Sequence, residues 1–354
     1  MRMYPCIYSC MYPIHRQHRF AAFVLAAASS VALAPAHAAT AAYGVVARQV
    51  MEGPVRWDYL TLDGAHHRLF LTRGDHVDVF DTVSKSVVGT VAGTAGVHGV
   101  ALAPERDRGY TSNGGADSVT VFALSSLAPV AVVKVGADPD SLVYDAKTAR
   151  LFVANGKGKS LSVIDAATNK VIGTIALAGS PETAVVDGKG MLFVALEDKN
   201  AIAVVDTAAM KVVRQHDLSS VCEEPAGLAV DPASGRLFAG CHNRKLAIVD
   251  GVTGKVIAAP AIGQGNDATA YDPERKLAFA SNGDGTLTVV DGEAPHHVLQ
   301  TVATMARART MALDPVSHVV YLVAADALAK LPLPGTRWAP LKPGSFTLLT
   351  VAPR

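Results

Sequence analysis

The chain has 354 residues, half of them hydrophobic, with 32 Lys and Arg against 31 Asp and Glu. So even a balance gives no global drive toward phosphate backbones or anionic lipid. Nucleic acid is excluded as a leading partner, since it needs a basic groove with aromatic platforms.

The first 38 residues stand apart. Arg16 and Arg19 precede an apolar run from Phe20 to about Leu33, and Ala36-His37-Ala38 has the small-x-small form of a secretory cleavage site. The run is shorter than the roughly 20 residues a membrane-spanning helix takes. Residues 1–38 are therefore expected to be a signal peptide cleaved after Ala38, from a start at Met1 or Met11, with no membrane span afterwards. Cleavage takes away three basic and no acidic residues, leaving 29 Lys and Arg against 31 Asp and Glu. It also removes Cys6 and Cys10, so that Cys222 and Cys241 are the only mature cysteines.

From there to the C-terminus one unit recurs seven times. Its marker is an apolar-aromatic pair at Phe70, Tyr110, Phe152, Phe193, Phe238, Phe279 and Tyr321, in steps of 40, 42, 41, 45, 41 and 42 residues. A repeat of that length made of short runs, without a 3.6-residue apolar period, is one propeller blade. The third repeat is the plainest, with runs at 140–144, 150–154, 160–164 and 170–175 bounded by Gly, Pro, Asp or Asn. These become strands a, b, c and d. Between c and d, Asp165 and its equivalents Asp81, Asp206, Asp250 and Asp291 are expected to cap turns. Strand a carries small residues such as Gly99, Ala184 and Gly227, suited to the crowded axis, and is the inner strand. The seventh repeat lacks a strand d, while an unattached run, Val45 to Val50, stands near the start. Joining them closes the ring. The expected fold is all-β: a seven-bladed β-propeller of four-stranded blades over residues 39–354, one domain and a monomer.

Several strings carry a resemblance: Leu-Phe-Val-Ala-Asn155, Leu-Ser-Val-Ile-Asp165 and Val-Ile-Gly-Thr-Ile175, with Trp57-Asp-Tyr59, Pro139-Asp140, Pro181-Glu182 and Cys222-Glu-Glu-Pro225 opening blades. The chain resembles the YVTN-repeat β-propellers, specifically the YncE-like exported proteins, over nearly its whole mature length. The resemblance implies seven blades and a periplasmic or secreted location. It implies no single activity.

Antiparallel order puts the d-to-a and b-to-c connections at one end of the ring. There the blades present Asp58, His98, Asp140, Glu182, Ala226, Asp267 and Arg309 at equivalent positions. Four carboxylates, a histidine and an arginine should surround the channel mouth, with Asn113, Asn155 and Asn282 on the same end. Carboxylate and amide oxygens suit Ca²⁺ or Mg²⁺, and His98 could add a nitrogen for a transition metal. The competing account is strand-end capping around a water-filled channel. Cys222 and Cys241 fall at this end of blade five and are expected to form a disulfide; the rival is a thiolate metal site with His242 and His98. The His66-His67 and His296-His297 pairs are expected to be solvated. The connection from Asp326 to Gly344, with four prolines around Trp338, is a candidate lid or a plain insertion. Trp57 should stand near it, mostly buried, with Trp338 open to a ligand. Familiar catalytic strings such as Gly-x-Ser-x-Gly or His-Glu-x-x-His are absent. The function expected is recognition of a small ligand, metal ion or envelope protein at the mouth, with a metal-dependent lyase or hydrolase at the same place as the alternative. A divalent cation is the only cofactor this points to.

Overall fold

The computed structural model describes residues 42–328 and 339–354, so the expected signal peptide and Trp338 lie outside the described residues. Ala41–Arg354 forms one compact unit. It contains seven four-stranded antiparallel sheets, with helix limited among the described residues to three short 3-10 turns. No helix there is long and apolar enough to cross a membrane.

The inner strands are Leu60–Asp63, Val97–Ala103, Pro139–Asp145, Pro181–Val186, Pro225–Val230, Asn266–Asp272 and Met311–Asp314. Each touches the next, and the last touches the first, which closes the ring. Blade seven is composite. Its strands Met311–Asp314, Val319–Ala324 and Thr347–Pro353 are completed by Tyr43–Val50, which pairs antiparallel with the C-terminal strand.

The 42-residue rhythm has a packing cause. Seven apolar clusters lie between blades, one for each adjacent pair. The repeated aromatic of strand b enters the cluster shared with the following blade: Phe70 meets Phe122 and Val100, Phe152 meets Leu192, and Tyr321 meets Leu71 and Leu348. All seven of these rings are buried. A lone blade would leave that face in water, so each repeat needs its neighbour.

The opposite end of the ring is built of turns as expected. Asp165 Oδ1 accepts the N–H groups of Ala167 (3.1 Å) and Thr168 (2.8 Å) and the Thr168 hydroxyl (2.8 Å). Asp250 repeats the pattern with Val252 and Thr253. One expectation on that end needs correction: His296 is buried at 5 % exposure, its Nδ1 3.2 Å from the Asp291 carbonyl. Its ring lies against that turn, whereas His66, His67 and His297 are exposed.

Candidate functional site at the channel mouth

A repeated irregularity sets the site. In blades two to six the pairing of strands a and b slips between Val97 and Val100, Pro139 and Leu142, Pro181 and Ala184, Pro225 and Leu228, and Asn266 and Ala268. Each slip spans the candidate position: His98, Asp140, Glu182, Ala226 or Asp267. A bulge takes a residue out of the ladder and re-aims its side chain. In blades one and seven Asp58 and Arg309 simply precede the strand. The device at the inner rim is thus shared by five of the seven blades, with the side chain it presents varied from one to the next.

The structure brings the ring together unevenly. His98 Nδ1 lies 2.7 Å from Asp58 Oδ2 and 3.6 Å from Asp140 Oδ1. One ligand atom from each of these three side chains falls within 4.8 Å of the others. Asp140 Oδ1 is buried and has no hydrogen-bond partner. Across the ring, Arg309 Nη1 lies 3.3 Å from Asp267 Oδ2. Between these groups stands Tyr59, which sequence reading did not single out as a site residue. Its hydroxyl donates to Glu182 Oε1 at 3.5 Å and sits 3.4 Å from Thr183 Oγ1, so a side chain of blade one reaches blade four.

Crowding shapes the electrostatics. Burial, then the charges of Asp58 and Asp267, raise the Asp140 carboxyl well above its ordinary pKa. Burial, then Asp140 and Asp267, do the same for Glu182. Burial pushes Asp267 up to about 6 despite the opposing pull of Arg309. Burial opposes charging of His98, but the hydrogen bond and charge of Asp58 prevail and raise it. The Tyr59 phenol is held neutral, raised well above its usual value by burial and by Glu182.

Asn113, Asn155 and Asn282 end strand b of their blades but point inward. All three are buried, and their amide Nδ2 groups donate to Thr120 (2.9 Å), to Ser162 (3.0 Å), and to Thr288 (3.1 Å) respectively. They clamp strand b to strand c and are not brought to the mouth.

Cys222 and Cys241 lie at disulfide distance, with Cα atoms 5.4 Å apart, so neither thiolate joins a metal set. The staple instead holds together the segments bearing Glu224 and His242, whose carboxylate and Nδ1 are 2.7 Å apart. Glu197 of blade four lies with them as a second histidine-carboxylate group. Glu224, inside the string before Pro225, and His242, named for the rival thiolate site, carried a sequence signal, whereas Glu197 did not.

Trp57 is half-buried, its indole 5.7 Å from the Phe346 ring. The segment bearing it is fastened by Arg73, a fully buried arginine that sequence reading missed. Arg73 donates to the Glu52 carbonyl (2.8 Å), the Pro54 carbonyl (2.6 Å) and Asp78 (2.6 Å), and its guanidinium covers Phe346 at 4.0 Å.

No family model and no curated protein matches the chain. Among solved structures it is similar to a chain of Kuenenia stuttgartiensis hydrazine synthase, with a TM-score of 0.67 over 79 % of this chain and 94 % of that one at 17 % identity. At that identity the likeness shows the propeller fold and transfers no activity.

Proposed function

We propose that this chain is an exported seven-bladed propeller of the YVTN type that binds a divalent cation at its channel mouth through Asp58, His98 and Asp140. The observation that carries the reading is the buried, unpartnered Asp140 Oδ1 facing His98 Nδ1, which already touches Asp58. A nitrogen and two carboxylates favour a transition ion such as Zn²⁺ over Ca²⁺, which prefers six to eight oxygens. The Asp58 backbone is held by hydrogen bonds from its N–H to the Thr72 hydroxyl and from the Thr310 hydroxyl to its carbonyl, which fixes the point from which its carboxylate reaches the site. Periplasmic or secreted placement is supported by the leader composition and by the Cys222–Cys241 pair.

Calorimetric titration of chelator-treated protein with Zn²⁺ and with Ca²⁺ tests the proposal. Zn²⁺ should bind at one site, and His98→Gln and Asp140→Asn should each weaken it at least tenfold. Equal binding by wild type and both variants would refute the assignment. The second reading is a metal-dependent lyase or hydrolase at the same mouth. Its support is the raised Glu182 carboxyl, which keeps a proton available near the cation ligands. Chelator-sensitive turnover that is lost in Glu182→Gln would favour the enzyme.

A further inference from the structure

The cation reading uses one nitrogen of His98, the Nδ1 that faces Asp58 and Asp140. The other nitrogen, Nε2, has different neighbours. A Cβ placed on Gly114 would lie 2.7 Å from His98 Nε2 and 2.9 Å from Asp138 Oδ1, so these two atoms border one small space and are no farther apart than those distances summed. Gly114 directly follows strand b of blade two, and its N–H donates to the Gly96 carbonyl at 3.0 Å. Its φ lies outside the left-handed region, so it is the crowding and not the backbone that calls for glycine there.

Asp138, just before the inner strand of blade three, is held in place by its own loop. Its N–H donates to Asp117 Oδ1 at 2.8 Å and its carbonyl accepts the Gly156 N–H at 2.8 Å. Its φ of 57° is one that Asp and Asn adopt more readily than other side chains. The exposed Lys157 lies 3.4 Å from the other carboxylate oxygen, Oδ2. His98 is anchored through its backbone, where its carbonyl accepts the Tyr59 N–H at 3.0 Å, which leaves the ring to be oriented by the groups around it. Among the charges that act on that ring, Asp138 comes next after Asp58, and Arg56 opposes both.

The partner of one imidazole nitrogen decides what the other can do. A histidine that binds a metal through one nitrogen commonly gives its second N–H to a carboxylate, which fixes both tautomer and ring orientation. We propose that Asp138 is the positioning residue of the cation site: its carboxylate is the counterpart of the His98 Nε2–H, which leaves the Nδ1 lone pair for the ion, and Gly114 is the notch that lets the two groups approach. The proposal rests on the cation reading above, and neither Asp138 nor Gly114 touches the ion. Without the Asp138 charge the proton would settle on Nδ1, where Asp58 Oδ2 offers an acceptor 2.7 Å away, and a protonated Nδ1 cannot bind a cation.

Calorimetric titration with Zn²⁺, joined to nitrogen NMR of protein labelled with ¹⁵N-histidine at a pH where the imidazole is neutral, tests this. Wild type should carry the His98 proton on Nε2 both with and without Zn²⁺, and bind the ion through Nδ1. Asp138→Asn keeps the size and backbone preference of the side chain; it should weaken Zn²⁺ binding about tenfold and move the proton of metal-free His98 toward Nδ1. Gly114→Ala should weaken binding at least as much, with the His98 ring displaced from Asp58 in a crystal structure of the metal-free variant. Lys157→Gln should bind Zn²⁺ as wild type does. An Asp138→Asn variant with unaltered affinity and tautomer, coordination through Nε2, or a loss in Lys157→Gln equal to that in Asp138→Asn would overturn the proposal. If wild type and His98→Gln bind Zn²⁺ alike, the cation reading fails, and the tautomer of metal-free Asp138→Asn still decides the role of Asp138. Should Gly114→Ala fail to fold, Asp138→Asn carries the test.

Discussion

Lowering the pH from 7 to 5 should stabilise this protein, because its channel mouth confines carboxyls that resist ionising. The case can be worked on Asp267, which is 8 % exposed and whose pKa rises from 3.8 to about 6 on folding. A carboxyl with a raised folded pKa contributes stability that is complete below the unfolded value and is lost as pH rises through the folded one. With 1.36 kcal/mol per unit, ionisation favours the unfolded chain by about 2.9 kcal/mol at pH 7 and about 1.6 kcal/mol at pH 5. The gain between them is about 1.3 kcal/mol from this group alone. Asp140 and Glu182, both raised, act with the same sign, and so does His98. The turn aspartates Asp81, Asp165 and Asp250 have depressed values and lose their contribution only below their ordinary pKa, outside this window. For the 316 residues after Ala38, an unfolding entropy of about 0.66 kcal/mol/K turns the Asp267 gain into a Tm rise of about 2 °C. Differential scanning calorimetry in chelator would measure it, and the Asp140→Asn, Glu182→Gln double variant should raise Tm at pH 7 and flatten the slope. A Tm that is flat or falls from pH 7 to 5, or an unaltered slope in the variant, would refute the account of a strained acidic ring.

Mass analysis after alkylation without reductant should find no free thiol in native protein. The Cys222→Ser, Cys241→Ser double variant should lose about 3 kcal/mol, the entropy of a loop of roughly 20 residues, by denaturant titration. Arg73→Met should cost about 3–5 kcal/mol, since it leaves Asp78 without its cation and frees the segment before Trp57; a Tm within a degree of wild type would contradict the clasp. Gly109→Ala should destabilise by about 1–3 kcal/mol, because a Cβ there would enter the Phe122 ring; unchanged thermal unfolding would count against that packing.

The blade count and closure were legible because they follow from sums over many residues. Seven aromatics at one period, each needing a neighbouring blade to cover it, leave little freedom of architecture. The identities of the ring residues were legible too, since equivalent repeat positions must converge on an axis. Which of them touch was not. The pairing of His98 with Asp58 and Asp140, and of Arg309 with Asp267, depends on bulges that alternation of residue types does not encode. Asn155 was misplaced for the same reason: a residue at a strand's end faces either the mouth or the sheet according to one peptide's rotation. Arg73 was missed because a buried cation is recognised only by the carbonyls around it, which come from a segment about 20 residues away. His296 needed knowledge of a turn whose inward fold the dipeptide does not reveal.

Tyr59 has a further consequence. By reaching from the first blade to Glu182 of the fourth, its phenol crosses the middle of the ring at the level of the charged residues. The first and fourth blades are thereby tied directly across the ring, which packing between neighbouring blades alone would not do. The opposite face, built of short turns capped by residues such as Asp165 and Asp250, takes no part in that tie, and a tag or tether could be attached there.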